Sequence, residues 1–355
     1  MKIVGIGDLL IPPSDIENGF KRLADLDCET IVINWPLQSY EELQHINLLV
    51  EQGGSEVIEP PEIVLDAIRD ADVIITQFCP VTKHVIDSCP KLKAIGVLRG
   101  GVENINVPYA SEKGILVFNT PGRNANAVAD FTVGMLIAEC RNIAKAHDEL
   151  KKGNWVRDYT NAACVPDLCE KTVGIVGYGN IGRKVAKRLR AFDMQVIAYD
   201  PYVSKADADV EMVSLEELLR RSDFVTLHSR MTDSTYHMID EHMLSLMKPT
   251  AYLINTARSG LVDEEALYRC LKDRKIMGAA LDVFDLEPPG KDYPLVTLDN
   301  ITITPHLAGG TRDAFSHSPV LLLEELKEVL LHQKRSGYLL NGNACAENPI
   351  LTGNW

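Results

Sequence analysis

The stretch between Thr172 and Pro201 constrains the fold of this chain more strongly than any other part of the sequence. It begins with Thr172–Val176, a short β-branched run that predicts a buried strand. The run ends at Gly177-Tyr178-Gly179-Asn180-Ile181-Gly182, after which apolar residues recur at helical spacing. These apolar positions are Val185, Ala186, Leu189 and Phe192. A strand, a glycine-rich turn and a helix in this order predict a dinucleotide-binding unit.

Each glycine of the turn has a predicted physical role. Gly177 allows the tight turn, Gly179 lets the backbone approach a pyrophosphate, and Gly182 lets the helix pack closely on its strand. The N–H groups of Asn180 and Ile181 begin the helix, where the positive end of the helix dipole favours an anion. We therefore predict that this turn binds the pyrophosphate.

Asp200 follows the next predicted strand, Gln195–Tyr199, and lies roughly 20 residues beyond the first glycine. An acidic residue at this position hydrogen-bonds the ribose hydroxyls of NAD, although Asp200 could also be a turn residue before Pro201. Its carboxylate would repel the 2′-phosphate of NADP, and residues 201–203 supply no cation to bind that phosphate. The sequence therefore predicts NAD rather than NADP as the cofactor.

The length and composition predict a globular protein of two domains. A chain of 355 residues is too long for one ordinary hydrophobic core, and 46% of its residues are hydrophobic against 24% charged. The net charge of −14 argues against a nucleic-acid partner or an anionic membrane surface. No apolar run approaches the length of a membrane span, and the first residues do not form a signal peptide.

The eight cysteines show no C-x-x-C spacing, and most lie in apolar segments. They predict reduced thiols in the cytoplasm rather than disulfides, and no metal site.

Short apolar runs alternate with helical segments, which predicts two doubly wound parallel sheets of an α/β protein. The predicted strands of the first sheet are residues 3–6, 30–34, 73–77, 94–98 and 115–118. The second sheet adds residues 223–227, 251–255, 278–283 and 301–304 to the dinucleotide-binding unit. Gly5 and Gly7 follow the first strand, but no complete GxGxxG is formed there.

A long helix is predicted over residues 124–151, and its apolar residues occupy more than one face. The aperiodic segment 154–170, with Trp155 and Tyr159, could be an arm that reaches a partner. We therefore expect a homodimer. A leucine-rich helix beginning near Thr311 is expected to pack on the first domain, and the tail after Ser336 to be partly loose.

Polar residues follow several of the predicted strands at their carboxyl ends, where an open α/β sheet binds its ligand. Arg99-Gly100-Gly101 follows residues 94–98 and could bind a small anion, or form a simple turn. In the second half these residues are Arg258, Asp282, Glu287 and His306.

Three of these residue types suffice for hydride-transfer chemistry beside a nicotinamide. An arginine can hold a carboxylate with two hydrogen bonds, and a histidine can give or take a proton near neutral pH. A carboxylate beside the histidine can fix its tautomer. Taken singly, Glu287 could be a loop residue, His306 a core histidine and Arg258 a surface charge.

The motifs together resemble the NAD-dependent D-2-hydroxyacid dehydrogenases, in the branch of phosphoglycerate dehydrogenase and hydroxypyruvate/glyoxylate reductases. The resemblance covers nearly the whole chain and implies that Arg258, Glu287 and His306 are catalytic, with His306 as proton donor. The implied cofactor-binding residues are Gly177, Gly179, Asn180, Ile181, Gly182, Asp200, Ser229, Thr256, Ala257, Arg258, Asp282, His306 and Gly309. The implied substrate is a small D-2-hydroxy acid or 2-keto acid, bound by Arg99, Gly100, Gly101 and Arg258.

The resemblance also implies a domain arrangement. A central Rossmann NAD-binding domain, residues 120–309, is expected to be inserted in a flavodoxin-like substrate-binding domain made of residues 1–119 and 310–355. Three departures from the family pattern stand out: Asp130 replaces a common glutamate, Arg230 replaces a usual proline, and Arg99 replaces a smaller residue. An alternative function is that of an NAD-sensing interaction protein resembling the corepressor branch of the family.

Overall fold

The computed structural model describes residues 1–203, 207–333, 336–353 and 355. The chain divides into two compact units, Met1–Arg123 with Thr311–Trp355, and Asn124–Gly310. These divisions lie after Arg123 and Gly310, slightly beyond the expected ones after Asn119 and Gly309.

The strands β1–β12 are, in chain order, Lys2–Gly7, Glu29–Asn34, Val73–Thr76, Ala94–Val97, Leu116–Phe118, Thr172–Val176, Gln195–Tyr199, Glu211–Met212, Phe224–Leu227, Tyr252–Asn255, Gly278–Leu281 and Ile301–Ile303. The helices α1–α13 are Pro13–Phe20, Tyr40–Gly53, Glu62–Ile68, Lys83–Ser88, Val107–Glu112, Ala125–Cys140, Ile143–Lys151, Asn180–Arg190, Leu215–Arg221, Glu241–Ser245, Glu264–Lys272, Arg312–His332 and Pro349–Thr352. None of the helices in the described residues is both long and apolar enough to cross a bilayer.

The first unit contains a parallel sheet with the strand order β2-β1-β3-β4-β5. Apolar side chains on both faces are buried, because helices cover both sides of the sheet. The α12 helix packs so closely that a Cβ atom added at Gly96 of β4 would lie 2.6 Å from Leu322. The leucine-rich helix therefore belongs to the first unit, as predicted.

The C-terminal segment from Ser336 to Gly353 is ordered against the edge strand β5, so the expectation of a partly loose tail is wrong for these residues. Asn341 Oδ1 accepts a hydrogen bond from the Val117 N–H at 2.8 Å, and its amide donates to the Ile115 carbonyl. The amide of Asn348 donates to the carbonyls of Lys93 and Gly114. The bond to the Val117 N–H supplies a hydrogen-bond partner that an edge strand otherwise lacks, and the other bonds hold the residues next to β4 and β5.

The second unit contains a parallel sheet with the strand order β12-β11-β10-β9-β6-β7-β8. The bounds of β6 and β7 agree with the prediction, and the α/β class with two parallel sheets is confirmed. The short edge strand β8 was not predicted.

The single long helix predicted over residues 124–151 is wrong, because it is divided into α6 and α7. Asn142 lies between them with φ of 56°, a left-handed conformation that a helix cannot contain. Its side-chain amide donates to Asn161 Oδ1 at 2.7 Å, and the Asn161 amide donates to the Cys140 carbonyl. A distant part of the chain thus holds the break in place.

Candidate active site

The second sheet brings the predicted site residues to one edge. His306, Asp282 and Arg258 follow β12, β11 and β10, and Ser229, Gly177 and Asp200 follow β9, β6 and β7. The strand ends are level, since Asn255 pairs with Leu281 and Leu281 pairs with Ile303. Carboxyl ends of adjacent parallel strands form the ligand crevice of such a sheet.

The glycine-rich turn between β6 and α8 has the geometry of a pyrophosphate site. Gly177 has φ of 93°, which favours glycine, and a Cβ atom there would lie 2.6 Å from the Ser229 nitrogen. A Cβ atom at Gly182 would lie 2.2 Å from the Gly177 carbonyl oxygen, so the helix and the turn meet closely. An added Cβ at Gly179 meets nothing within 4 Å, which leaves space for a ligand.

The beginning of α8 also fits an anion. No side chain caps this helix, and Gly179 and Asn180 are exposed. The first N–H groups of an uncapped helix point toward a bound anion and carry the positive end of the helix dipole. The residues present therefore fit the pyrophosphate of NAD.

Asp200 lies beside this turn and fixes its shape. Its Oδ2 accepts a hydrogen bond from the Tyr178 N–H at 2.8 Å, and its Oδ1 accepts one from the Tyr202 N–H at 2.9 Å. Each carboxylate oxygen can accept more than one hydrogen bond, so these contacts leave capacity for ribose hydroxyls.

Glu287 and His306 are in direct contact. His306 Nδ1 lies 2.8 Å from Glu287 Oε2, while Glu287 Oε1 accepts a hydrogen bond from the Phe284 N–H at 3.0 Å. The side chain of His306 is 51% exposed and that of Glu287 is 38% exposed. Because the carboxylate binds Nδ1, the other ring nitrogen, Nε2, is the one available to a substrate.

Asp282 is fully buried and holds the turn that carries His306. Its Oδ1 accepts from the Leu307 N–H and the Thr304 hydroxyl, and its Oδ2 accepts from the Ala308 N–H at 2.8 Å. His306 itself has φ of 51°, so its backbone conformation depends on these contacts. The carboxylate therefore orders the turn, although the sequence predicted a cofactor contact for it.

Arg258 extends from the end of β10 and is exposed. Its Nη1 donates to the adjacent Ala257 carbonyl, and Asn255 holds the backbone by donating to the Arg258 carbonyl at 2.8 Å. Among the described residues, no carboxylate forms an ion pair with Arg258. Its guanidinium can therefore bind the carboxylate of a ligand with two parallel hydrogen bonds.

Two other predicted cofactor residues have neighbours within the second unit. The Thr256 hydroxyl lies 2.7 Å from that of Thr132 in α6, so this side chain joins β10 to the helix. A Cβ atom at Gly309 would lie 2.5 Å from the Asn124 amide nitrogen, which explains a glycine there.

The contacts of Arg99, in the first unit, differ from its predicted role. Its guanidinium donates to Asn47 Oδ1 at 2.7 Å and forms ion pairs with Glu51 and Glu103, each at 3.0 Å. It also lies over the ring of Phe78, and its side chain is only 11% exposed. Two carboxylates neutralise its charge, so it is not the free cation that was expected. The neighbouring Gly100 is exposed.

The sequence did not predict a role for Glu264 or its partner Tyr293, which lies at the end of the loop that carries Glu287. Glu264 Oε1 accepts a hydrogen bond from the Asp285 N–H at 2.9 Å, and Oε2 accepts one from the Tyr293 hydroxyl. Glu264 lies directly after Asp263, whose side chain caps α11. Acidic residues are common in the first turn of a helix, so nothing in the sequence indicated that Glu264 also contacts the loop.

Comparisons with known proteins identify the family of this chain. The profile of the family described as "D-isomer specific 2-hydroxyacid dehydrogenase, NAD binding domain" matches residues 133–308. The D-3-phosphoglycerate dehydrogenase of Methanocaldococcus jannaschii is 44% identical over 292 residues, which cover 80% of this chain and 55% of that protein. The hydroxypyruvate reductase of Thermotoga maritima is 40% identical over 301 residues, covering 84% of this chain and 97% of that protein.

A solved structure shares the fold. The NAD complex of a D-isomer specific 2-hydroxyacid dehydrogenase from Lactobacillus delbrueckii ssp. bulgaricus has a TM-score of 0.75 at 24% identity, covering 96% of this chain and 100% of that one. The chain therefore belongs to the D-isomer specific 2-hydroxyacid dehydrogenases, oxidoreductases that transfer a hydride between NAD(H) and C2 of a small 2-hydroxy acid.

Proposed function

We propose that this protein interconverts a small 2-keto acid and its D-2-hydroxy acid, with Arg258, Glu287 and His306 as the catalytic residues. The observation that carries the proposal is the 2.8 Å contact between Glu287 and His306 at the sheet edge that also holds the glycine-rich turn. NADH, when bound, supplies the hydride that adds to the carbonyl carbon of the substrate.

The protein residues supply the charge and the proton. The guanidinium of Arg258 holds the substrate carboxylate, because it is exposed and carries no ion pair of its own among the described residues. Glu287 accepts the Nδ1–H of His306, so Nε2 gives its proton to the carbonyl oxygen during reduction. In the oxidation of the hydroxy acid, neutral His306 takes that proton back from the hydroxyl group.

The same geometry supports a set of cofactor contacts. The residues that would hold the pyrophosphate are Gly177, Gly179, Asn180, Ile181 and Gly182, and Asp200 would accept hydrogen bonds from the adenosine ribose. The remaining proposed contacts are those of Ser229, Thr256, Ala257, Arg258, Asp282, His306 and Gly309. For Asp282 the contact is indirect, since its carboxylate oxygens hold the turn at His306.

The first unit is proposed to be the substrate-binding domain, and the backbone of Gly100 and Gly101 to contact the substrate. Hydroxypyruvate, glyoxylate and the oxidised form of 3-phosphoglycerate are the first candidate substrates, because relatives with 37–44% identity carry the corresponding names. Arg99 acts in this proposal by ordering the loop through Glu51 and Glu103 rather than by binding an anion.

We also propose a homodimer and a cytoplasmic location. Ile143, Leu150 and Trp155 expose 53%, 58% and 80% of their surface along α7 and the segment after it, and a second subunit would cover them. All eight cysteines are free, as expected in a reducing compartment. Light scattering at micromolar concentration tests the dimer, and a monomer would contradict it.

The enzymatic proposal is tested by following NADH oxidation with glyoxylate, hydroxypyruvate and phosphohydroxypyruvate. We expect turnover of at least one of them, and its loss in H306A and R258A. Lys187, on the same helix as the glycine-rich turn, provides a matched control, because K187A removes a surface charge outside the proposed site. An H306A enzyme with wild-type turnover would contradict the assigned proton donor.

A further inference from the structure

The loop that carries Glu287 is held at two points by one carboxylate. Glu264, the first residue of α11, accepts the Asp285 N–H at 2.9 Å with Oε1 and the Tyr293 hydroxyl with Oε2. Asp285 and Tyr293 lie on either side of Glu287 in the sequence. The two oxygens of Glu264 therefore join the beginning and the end of this loop.

The contacts continue from Glu264 to the proposed proton donor. Phe284, the neighbour of Asp285, donates its N–H to Glu287 Oε1 at 3.0 Å, and its ring meets that of Tyr293 edge-on at 6.1 Å. The other oxygen of Glu287 contacts His306 Nδ1. A displacement of the 284–285 backbone would consequently move the carboxylate that fixes the imidazole.

Glu264 is partly buried, and both of its carboxylate oxygens accept hydrogen bonds from the loop. Burial raises its pKa, while the hydrogen bonds from Tyr293 and Asp285 oppose that rise. Its neighbour Glu265 instead forms an ordinary surface ion pair with Arg269 one helical turn away. Two adjacent glutamates of α11 thus have different surroundings, which provides a matched pair for experiments.

We propose that Glu264 is a positioning residue that holds Glu287 against His306 by joining both ends of the 285–293 loop. The proposal rests on the roles assigned above to Glu287 and His306. Glu264 touches neither of these side chains, so its effect on the reaction passes through the loop.

The test compares kcat and KM of E264A, E264Q and E265A with the wild type. We expect E264A to lower kcat by roughly 10- to 100-fold with KM for the keto acid within about threefold, because misplacing a catalytic group by about 1 Å can cost 100-fold. E264Q keeps an oxygen for the Asp285 N–H and should restore most of the activity. E265A should match the wild type, and equal losses in both alanine variants would overturn the proposal.

A double-mutant cycle separates positioning from general destabilisation. In an E287A enzyme, which has no side chain left to position against His306, adding E264A should lower kcat by less than about twofold, because residues that act as a unit are not additive. An E264A effect that multiplies in full on E287A would overturn the proposal. If E264A does not fold, Y293F provides the same test, because it removes the hydroxyl that binds Glu264. Y293F is then measured alone and in combination with the Glu287 variant.

The outcomes also distinguish this inference from the proposed function. If E287Q and H306A keep wild-type kcat, the assignment of the catalytic residues fails. If both lose activity while E264A and Y293F keep it, only the positioning role fails. NADH binding, measured by fluorescence, should be unchanged in E264A, Y293F and E287Q, and a loss in E264A would point to a general structural effect and overturn the proposal.

Discussion

Nδ1 of His306 lies 2.8 Å from Oε2 of Glu287, on a turn in which the histidine backbone is left-handed. Burial plays little part in this arrangement, since both side chains are more than one third exposed. The geometry instead depends on the residues that hold the two loops, Asp282 for the turn at His306 and Glu264 for the loop at Glu287.

Replacing either member of this pair should affect the chemical step. H306A removes the proton donor, and we expect kcat to fall by about 100- to 10,000-fold, the usual contribution of a general acid. E287Q keeps the shape of the side chain and an oxygen that can accept the Nδ1–H, but it loses the negative charge. We therefore expect kcat to fall less in E287Q than in H306A. Steady-state kinetics with the best keto acid provide the measurement, and K187A, whose kcat should match that of the wild type, serves as the control.

Asp282 should be essential for stability as well as for activity. D282N places an amide where a carboxylate oxygen accepts a backbone N–H, so at least one buried donor loses its partner. We expect a loss of about 1–3 kcal/mol in the free energy of unfolding, the cost of one unsatisfied buried group. Urea unfolding measures this loss, with D299N on the surface as the control. Equal stability of the two variants would contradict the role given to Asp282.

NADH should be preferred to NADPH because Asp200 is turned toward the glycine-rich turn and carries a negative charge. D200S should raise the relative kcat/KM with NADPH, since it removes repulsion of the 2′-phosphate. It should also weaken the turn, because the Tyr178 and Tyr202 N–H groups lose their acceptor. A wild-type enzyme that is more efficient with NADPH would refute this prediction.

Asp8 should make the stability of the first unit depend on pH. Burial raises its pKa from 3.8 to about 6, while the N–H groups of Ile11 and Leu10 and the charge of Arg123 oppose this rise. A folded-state pKa above the unfolded value gives stability that is present below about pH 4 and is lost as the pH rises through 6. The size of the loss is about 3 kcal/mol.

The matched variant is D8N, which keeps an oxygen for the Leu10 and Ile11 N–H groups but does not titrate. Its free energy of unfolding relative to the wild type should rise by that amount between pH 4 and pH 7. A difference between the two proteins that stays constant over this range would show that Asp8 ionises normally.

The sequence predicted those parts of the fold that are determined locally. The β6-α8-β7 unit has its signals within one continuous segment, and the bounds of both strands agree with the prediction. The division between α6 and α7 was missed because Asn142 is held by Asn161, which belongs to an aperiodic segment. The ordered tail was missed for the same reason, since Asn341 and Asn348 find their partners more than 200 residues away.

The site shows the same division. Residue types at strand ends predicted which side chains would come to one edge, because parallel strands all present their carboxyl ends there. The partners of Arg99 were not predictable. Asn47 and Glu51 belong to α2, and the spacing of apolar residues in that helix does not show which loop its polar side chains contact. Glu264 resembled any acidic residue in a first helical turn, and only the folded loop reveals its second contact.

The tail along β5 has a consequence for how the protein folds during its synthesis on the ribosome. Residues 124–310 leave the exit tunnel as a complete unit, whereas the β5 edge must wait for Asn341, which is made much later. We expect the nascent chain to fold from its middle outward, with the first 123 residues exposing a sheet edge until synthesis reaches the tail. Protease digestion of stalled ribosomal complexes would show this order as early resistance of the central unit.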